Sequence, residues 1–293
     1  MTTRYESAVD VDALVAIDTH VHIEVDDHGH SSLPADLQEA ASKYFKADGP
    51  RPDLHSIAEY YRERRMAAVV FTVDAETNLG EPPISSAGIA AGAARHNDVL
   101  IPYGSVDPHR PDAVDRIRAL AEVSGVRGFK FHPTVQGFDP SEERWYPLYA
   151  AIQDAGLPAL FHTGQTGIGA GLPGGRGLRL ALSNPMLLDG VAADFPDLRI
   201  VMAHPSVPWQ DEALSVATHK HNTWIDLSGW SPKYFPESLV RAANSYLKDR
   251  VLFGSDFPLL TPDRWMRDAE GVALKPEVMP GILTGNAIRL LGL

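Results

Sequence analysis

Two histidines, His20 and His22, stand two positions apart in the segment IDTHVH, residues 17–22. Side chains two apart on an extended strand point to the same face, so both rings can bind one cation from a rigid backbone. Three further residues at the ends of apolar runs have matching chemistry: His162, His204 and Asp256. Imidazole nitrogens and carboxylate oxygens around an open position form the ligand set of a catalytic zinc site. Ordinary strand histidines would explain the pair alone, but the five residues together favour a metal centre.

Such a centre would have defined chemistry. A cation held by neutral imidazoles and a carboxylate lowers the pKa of its bound water towards about 7. His204 or Asp256 could then accept the remaining proton and pass it to the departing group. The same cation polarises a substrate carbonyl, so both hydrolysis and bond cleavage beside a carbonyl are expected from this set.

Composition narrows the alternatives. The chain has no cysteine and 12 histidines, which excludes disulfides, iron–sulfur clusters, thiolate zinc sites and a cysteine nucleophile. Its 26 basic and 38 acidic side chains give a formal net charge of −12. An acidic protein does not attract a phosphate backbone or an anionic bilayer surface. We therefore expect a small-molecule substrate, and neither nucleic acid nor a membrane as a partner.

Residues 1–12 are polar and carry charges of both signs. They lack the apolar run of a secretory signal, and no part of the chain approaches the roughly 20 consecutive apolar residues of a membrane span. We expect a cytoplasmic protein.

Eight short apolar runs alternate with amphipathic segments and would form the scaffold that positions these residues. The runs lie at 14–20, 67–73, 99–105, 126–132, 158–163, 199–204, 222–228 and 250–256. The helix-like segments lie at 54–65, 85–96, 111–123, 143–155, 185–194, 210–220 and 236–248. An eightfold β–α alternation over about 250 to 300 residues is typical of an α/β fold of the (β/α)8 TIM-barrel type. An open doubly wound sheet is the alternative.

The candidate site residues favour the barrel over the open sheet. They fall at the carboxyl ends of the apolar runs, and a closed barrel brings those ends together at one mouth. Two long connections leave from the same face. Residues 23–54 contain a helix-like segment, LPADLQEAASKYF, and residues 164–177 are rich in glycine. Long loops at that face typically shape a substrate pocket, so we predict that the 23–54 insertion is a cap. Nothing marks a second domain, and we expect residues 1–293 to form one.

Six motifs follow one another along almost the whole chain: HVH (20–22), FKFHP (129–133), LFHTG (160–164), VMAHP (201–205), IDLSGW (225–230) and LFGSDFP (252–258). In this order and spacing the chain resembles the amidohydrolase superfamily, within it the amidohydrolase-related branch typified by aminocarboxymuconate-semialdehyde decarboxylase. The resemblance implies that His20, His22, His162 and Asp256 bind a divalent metal, zinc first and manganese as the alternative. It implies that His204 activates or orients the metal-bound water. A homodimer is the expectation at the level of the family.

Lys130 leaves the number of metals open. In the binuclear branches of this superfamily a lysine at the end of the fourth strand is carboxylated and bridges two metals, whereas in mononuclear members it is not a ligand. We favour one metal per chain. Lys130 would then be paired with an acid or turned towards substrate, and His132 would contact substrate or support a ligand, with a structural role in the core as its alternative.

Other candidates carry weaker signals. Arg176, in the glycine-rich loop, could meet a substrate carboxylate or phosphate, but a solvated arginine is the simpler interpretation. Trp230 and Tyr234 are candidate walls for an aromatic substrate, or core residues. The glycines do not have a nucleotide-binding spacing, so no NAD or ATP site is predicted. The remaining histidines are expected to be structural or exposed: His28, His30, His55, His96, His109, His219 and His221.

The sequence therefore favours a metal-dependent hydrolase that uses metal-activated water on a carbonyl-bearing small molecule. Similarity to other sequences with FKFHP and an extended first loop suggests C–C cleavage of an aromatic β-ketoacyl-CoA thioester. One alternative is a non-oxidative decarboxylase of an aromatic or ring-cleaved carboxylic acid. Another is a barrel that binds a metal or ligand without catalysis.

Overall fold

The computed structural model describes residues 4–46, 49 and 51–293, in which strands and helices alternate. The strands are β1 (Ala16–His22), β2 (Met66–Phe71), β3 (Leu100–Pro102), β4 (Phe129–Phe131), β5 (Ala159–His162), β6 (Ile200–Ala203), β7 (Thr223–Asp226) and β8 (Val251–Leu252). The α-helices are α1 (Ala35–Phe45), α2 (Leu54–Glu63), α3 (Glu76–Leu79), α4 (Ser86–Ala93), α5 (Ala113–Ala119), α6 (Pro133–Gln136), α7 (Tyr146–Asp154), α8 (Leu187–Asp194), α9 (Gln210–His219), α10 (Glu237–Ala243), α11 (Pro262–Ala269) and α12 (Asn286–Leu291).

Short 3-10 helices complete the connections at Val11–Ala13, Ala94–His96, Glu143–Trp145, Leu180–Ser183 and Pro232–Tyr234, and Pro173–Gly177 is a turn with positive φ at Gly174, Gly175 and Arg176. Two π-helical turns occur at Leu120–Ser124 and Gly281–Gly285. Within the described ranges, no helix has the length and apolar character that crossing a membrane requires.

All strand pairs are parallel. One sheet has the order β1, β2, β3, and the other runs from β4 to β8 in chain order. Backbone contacts join the two sheets at both edges. A parallel bridge between Gly104 and Phe129 links the end of β3 to β4, and another between Val21 and Phe257 links β1 to the segment after β8. The strands therefore form one ring, and the predicted (β/α)8 barrel is confirmed.

The strands are buried on both faces, which explains their continuous apolar sequences. All six residues of β2 are buried. Inward-facing side chains from successive strands fill the barrel, among them Ile17, Val69, Ile101, Leu160 and Val201. A larger apolar cluster packs the helices on the outside. The carboxyl ends of the strands are thus held by a close-packed scaffold.

Several element boundaries differ from the sequence-based expectation. β1 ends at His22, so both histidines of the pair lie within the strand. The run predicted at 250–256 pairs as a strand only over Val251–Leu252. The chain then turns so that Asp256, with φ +74, donates its N–H to the carbonyl of His20 at 2.9 Å. The sequence remains strand-like beyond Leu252, the last paired residue of β8. The residues that follow do not continue the strand, and Asp256 contacts His20 in β1 instead.

The cap predicted in the 23–54 insertion contains helix α1 at the expected place, although Ala47, Asp48 and Pro50 of that insertion lie outside the described residues. Helix α1 packs against the glycine-rich loop. A Cβ added at Gly167 would lie 2.4 Å from the ring of Phe45, so only glycine permits this approach. At the other end of α1, Arg176 Nε lies 2.7 Å from Asp36 Oδ2. The two long connections therefore form one cover.

Candidate metal centre and active site

Three predicted ligands meet at the mouth of the barrel. Nε2 of His20 and Nε2 of His22 are 3.2 Å apart. Oδ1 of Asp256 lies 3.1 Å from His22 Nε2 and 3.5 Å from His20 Nε2. With bonds near 2.1 Å, two ligand atoms stand about 3.4 Å apart around a tetrahedral ion and about 3.0 Å apart around an octahedral one. The three separations span this range, so the cluster fits a divalent cation.

His162 faces the same cavity from the end of β5. Its side chain is buried, and its Nε2 atom has no hydrogen-bond partner among the described residues. A buried polar atom without a partner is costly unless a water or an ion satisfies it. Burial also lowers the pKa of His162 well below its ordinary value, so the ring is neutral and has a lone pair for a cation. His162 suits a fourth ligand, although it lies outside the tight group of His20, His22 and Asp256.

The orientation of His20 is fixed by a residue that sequence reasoning missed. Nδ1 of His20 lies 2.8 Å from Oδ2 of Asp226, at the end of β7. A proton on Nδ1 leaves the lone pair of Nε2 directed at the cluster. The Ser228 amide donates to Asp226 Oδ1 at 2.8 Å. A Cβ at Gly254 would lie 2.3 Å from that oxygen, so glycine makes room for the carboxylate. Burial raises the pKa of Asp226, against the effect of these hydrogen bonds.

A second missed residue, Asp18, connects β1 to the loop that carries Asp256. It accepts hydrogen bonds from the amide and hydroxyl of Ser255 at 2.9 and 2.5 Å, and from the Tyr61 hydroxyl at 2.7 Å. The His20 amide also donates to it, at 3.1 Å. Burial raises the pKa of Asp18 to about 6, although these donors lower it. The register of β1 against β2 shifts between Asp18 and Val21, so the two-residue spacing of Asp18 from His20 did not reveal this role.

His204 stands beside the cluster on its own support. Its Nδ1 lies 2.7 Å from the Ser228 hydroxyl, and its ring centroid is 4.7 Å from that of His20 and 5.0 Å from that of His162. Gly229, with φ +73, packs against the ring, since an added Cβ would lie 2.6 Å from His204 Nδ1. Burial lowers the pKa of His204 to about 4. At neutral pH the imidazole is therefore uncharged and available as a base.

Lys130 is completely buried beneath the cluster and does not line the cavity. Its Nζ atom lies 3.2 Å from His20 Nε2 and 4.9 Å from the centre of the Phe71 ring. Burial lowers the pKa of Lys130 to about 7, and the carboxylates of Asp256 and Asp226 oppose this shift. Lys130 thus lies against His20, a predicted ligand, and does not face the cavity.

His132 occupies the cavity wall next to His162. The two rings stack with centroids 3.9 Å apart and planes within 12°. The Val135 amide, in α6, points at His132 Nδ1 over 3.4 Å. His132 therefore both supports a candidate ligand and faces the space where a substrate would lie.

The cavity over the cluster has a volume of about 320 Å³. Its floor is formed by His22, His132, His162, His204 and Asp256. Trp230 and Tyr234 form one wall, as the sequence suggested, and Tyr44 and Phe45 of α1 form another. The substrate space is therefore bounded by aromatic side chains above a polar floor.

The charged residues of the wall differ from the expectation. Arg176 does not line the cavity but pairs with Asp36 on the outside of the cap. The arginines on the wall are Arg51 and Arg264, which sequence reasoning missed. Nε of Arg51 lies 2.8 Å from Oε2 of Glu24, another wall residue. Glu24 continues the two-residue spacing of His20 and His22 and could have been found from it.

The chain is similar to a known protein family and to several solved structures. A family model described as amidohydrolase matches residues 17–293. A comparison with curated protein sequences gave no match. Among solved structures, an uncharacterised TIM-barrel protein from Bordetella bronchiseptica is 25% identical, with a TM-score of 0.77 over 94% of this chain and 98% of its own.

Two decarboxylases share the fold at lower identity. The 5-carboxyvanillate decarboxylase from Novosphingobium aromaticivorans, solved with manganese and 4-hydroxy-3-methoxy-5-nitrobenzoic acid, is 15% identical, with a TM-score of 0.69 over 100% of both chains. The 2,6-dihydroxybenzoate decarboxylase from Rhizobium is 13% identical, with a TM-score of 0.68 over 95% of this chain and 99% of its own. At these identities the likeness concerns the fold alone.

Proposed function

The chain belongs to the amidohydrolase family of metal-dependent enzymes, and from this premise we propose that it is a hydrolase that directs water at a carbonyl carbon of a small molecule. The residues that would hold the metal are His20, His22 and Asp256, with His162 as the fourth ligand. The separations within the cluster and the unpartnered Nε2 of His162 support this assignment. We propose one ion per chain, zinc first and manganese as the alternative.

When bound, a divalent ion would supply a water of lowered pKa and a Lewis acid for the carbonyl. The position of His204 is the main support for hydrolysis. Its ring lies on the cavity floor beside His20 and His162, but Ser228 and Gly229 hold it, so it can move protons without releasing a ligand. His204 accepts a proton from the attacking water and returns it to the leaving group. Asp256 is the alternative proton acceptor.

The cavity supports a substrate with an aromatic group. Trp230 and Tyr234 would stack on a ring, and about 320 Å³ accommodates a single-ring compound with a short carbonyl chain. An aromatic β-ketoacyl-CoA thioester would place its aryl ketone here and its remainder outside the mouth. In that reaction the water oxygen adds to the ketone carbon, the bond to the α-carbon breaks, and the α-carbon takes up a proton. The products are an aromatic acid and a shortened thioester.

A non-oxidative decarboxylase is the second candidate, favoured by the aromatic cavity walls and by the reactions named for the two structural neighbours. In that reaction the bond between the ring carbon and the carboxylate breaks, CO2 leaves, and the ring carbon takes up a proton. A proton donor must therefore face the substrate. In decarboxylation His204 would have to carry that proton before substrate binds, whereas in hydrolysis it receives the proton from water. Burial keeps the ring uncharged at neutral pH, so hydrolysis is our first proposal.

The two reactions are separated by their products. Purified enzyme would be assayed in H2¹⁸O against aryl esters, lactones, amides, aromatic β-ketoacyl-CoA thioesters and hydroxybenzoic acids. Hydrolysis places ¹⁸O in the product acid, whereas decarboxylation releases CO2 and a product one carbon shorter. Retention of metal with no turnover on any member would favour a barrel that only binds metal or ligand.

Two variants separate metal binding from catalysis. A His20→Ala, His22→Ala double variant should lose the bound metal, and undiminished metal content would refute the ligand assignment. His204→Ala should keep most of the metal and lose about 10²- to 10⁴-fold in turnover, the usual range for a removed general base. Near-normal turnover of His204→Ala would transfer the proton-accepting role to Asp256.

A further inference from the structure

A second group of ligand-type side chains lies outside the cavity. His55 and Glu59 belong to helix α2, and His96 ends the 3-10 helix Ala94–His96. One ligand atom from each of the three lies within 4.8 Å of the other two. None of these residues lines the cavity, and the sequence alone suggested only structural or exposed roles for both histidines.

The spacing of the donors matches metal coordination. His55 Nδ1 and His96 Nε2 are 3.3 Å apart. Two nitrogens bound to one tetrahedral zinc ion at about 2.0–2.1 Å stand about 3.3 Å apart. His20 and His22 in the central cluster show nearly the same separation, 3.2 Å. The two surface imidazoles are thus already placed as neighbouring ligands.

The backbone holds this arrangement without the metal. His55 and Glu59 are four residues apart, which puts them on one face of α2. Helix α2 starts with an N-cap, since the Ser56 amide donates to the Asp53 carboxylate at 2.7 Å. Close packing of Leu54 on Gly92, where an added Cβ would lie 2.2 Å from the Leu54 side chain, brings α4 and the following His96 against α2.

Arg62 pairs with the two acidic residues next to the histidines. Arg62 Nη1 lies 2.5 Å from Glu59 Oε1, and Asp98 accepts from Arg62 Nε and Nη2 at 2.7 and 2.8 Å. Two carboxylates and one guanidinium leave a net charge of −1 beside the histidines, and Arg62 Nη2 lies 3.5 Å from His96 Nδ1. Partial burial, together with Arg62 and His55, lowers the pKa of His96, which favours the neutral ring that binds metals.

We propose that His55, His96 and Glu59 form a second site, at the protein surface, for a divalent transition-metal ion such as Zn²⁺, Cu²⁺ or Ni²⁺. Two imidazole nitrogens and one carboxylate oxygen suit these ions better than Mg²⁺ or Ca²⁺, which prefer oxygen ligands. Three protein ligands leave at least one coordination position for water or for a side chain of another molecule.

Zinc binding to the untagged 293-residue chain tests the site. Isothermal titration of protein that keeps its resident metal should show one additional equivalent of Zn²⁺ per chain. His55→Ala and His96→Ala should each weaken that binding at least tenfold or abolish it. His221→Ala, an exposed histidine outside the group, is the matched control and should leave binding unchanged. Thermal unfolding would confirm that each variant is folded.

The outcomes are independent of the central cluster. The His20→Ala, His22→Ala double variant should still bind zinc at the surface site, and loss of turnover in that variant would not affect this result. If His55→Ala, whose side chain is exposed, binds zinc with unchanged stoichiometry and affinity, the surface site is refuted. If the unaltered chain binds no additional equivalent at 100 µM Zn²⁺, the 3.3 Å contact is only a hydrogen bond between two imidazoles.

Discussion

His20 Nδ1 and Asp226 Oδ2 are 2.8 Å apart, and both side chains are fully buried. This contact decides which nitrogen of His20 carries the proton, and therefore whether Nε2 can bind a cation. An uncharged amide in place of the carboxylate accepts more weakly and also permits the opposite tautomer.

We expect Asp226→Asn to lower metal affinity by about 10- to 100-fold, the usual cost of losing the acceptor behind a ligating histidine. Competition with a chelator, followed by metal analysis, measures the effect. Asp115→Asn, at a side chain that is 84% exposed, is the matched control and should leave the metal affinity unchanged. An Asp226→Asn protein that holds its metal as tightly as the unaltered chain would mean that His20 is oriented by other contacts.

Gly229→Ala should displace His204, because the new Cβ would lie 2.6 Å from its Nδ1. The ring would lose its contact with Ser228, so turnover should fall about 10²-fold or more while metal content stays the same. Gly171→Ala is the control for backbone strain. Gly171 also has a positive φ, +79, but nothing lies within 4 Å of its added Cβ, so this variant has the strain without the steric clash. Equal losses in the two variants would assign the effect to backbone strain instead.

Acid should destabilise the metal-free protein, because four buried imidazoles are held uncharged in the folded chain. Burial lowers the pKa of His132 well below its ordinary value. An unfolded chain protonates this histidine near pH 6.5, whereas the folded chain does not, so its contribution to stability is full above that pH and is lost as the pH falls below it. His20, His162 and His204 act in the same direction.

We therefore expect the unfolding free energy of the unaltered chain to fall between pH 7 and pH 5 by about 2 kcal/mol more than that of His132→Phe. The phenylalanine keeps a flat ring against His162. Urea unfolding with a chelator present measures both proteins. Asp18, whose pKa is raised to about 6, has the opposite dependence but is common to both and cancels. His221→Phe, at an exposed position, should leave the pH dependence unaltered. Parallel pH profiles for His132→Phe and the unaltered chain would mean that His132 takes up its proton as readily in the folded chain as in the unfolded chain.

Lys130→Met tests the number of metals. An uncarboxylated lysine beside His20 contributes no ligand, so the variant should keep its single equivalent of metal. A carboxylated lysine that bridges two ions would instead produce a protein that loses one of two equivalents, together with any dependence of activity on bicarbonate. Metal analysis of the two proteins purified in parallel distinguishes these cases.

The barrel could be predicted because β–α alternation and apolar runs are properties of the local sequence. The pairing of His20 with His22 followed from strand periodicity in the same way. Asp226 and Asp18 were missed because their importance lies in what they accept from distant residues, such as the Ser255 hydroxyl that reaches Asp18 at 2.5 Å. Arg176 and Arg51 could not be told apart, because loop paths, and not composition, decide which arginine reaches the cavity. The short extent of β8 likewise depends on a turn that composition does not reveal.

The bridge between Val21 and Phe257 has a consequence for the order in which the molecule is built. It joins the first strand of the barrel to the segment after the last, and His20, His22 and Asp256 flank this seam. During synthesis β1 leaves the ribosome long before Asp256 exists, so the seam and the metal cluster cannot form until nearly all of the barrel has been translated. A cation bound there would link β1 to the segment after β8. A nascent chain would gain this stabilisation only after Asp256 has emerged from the ribosome.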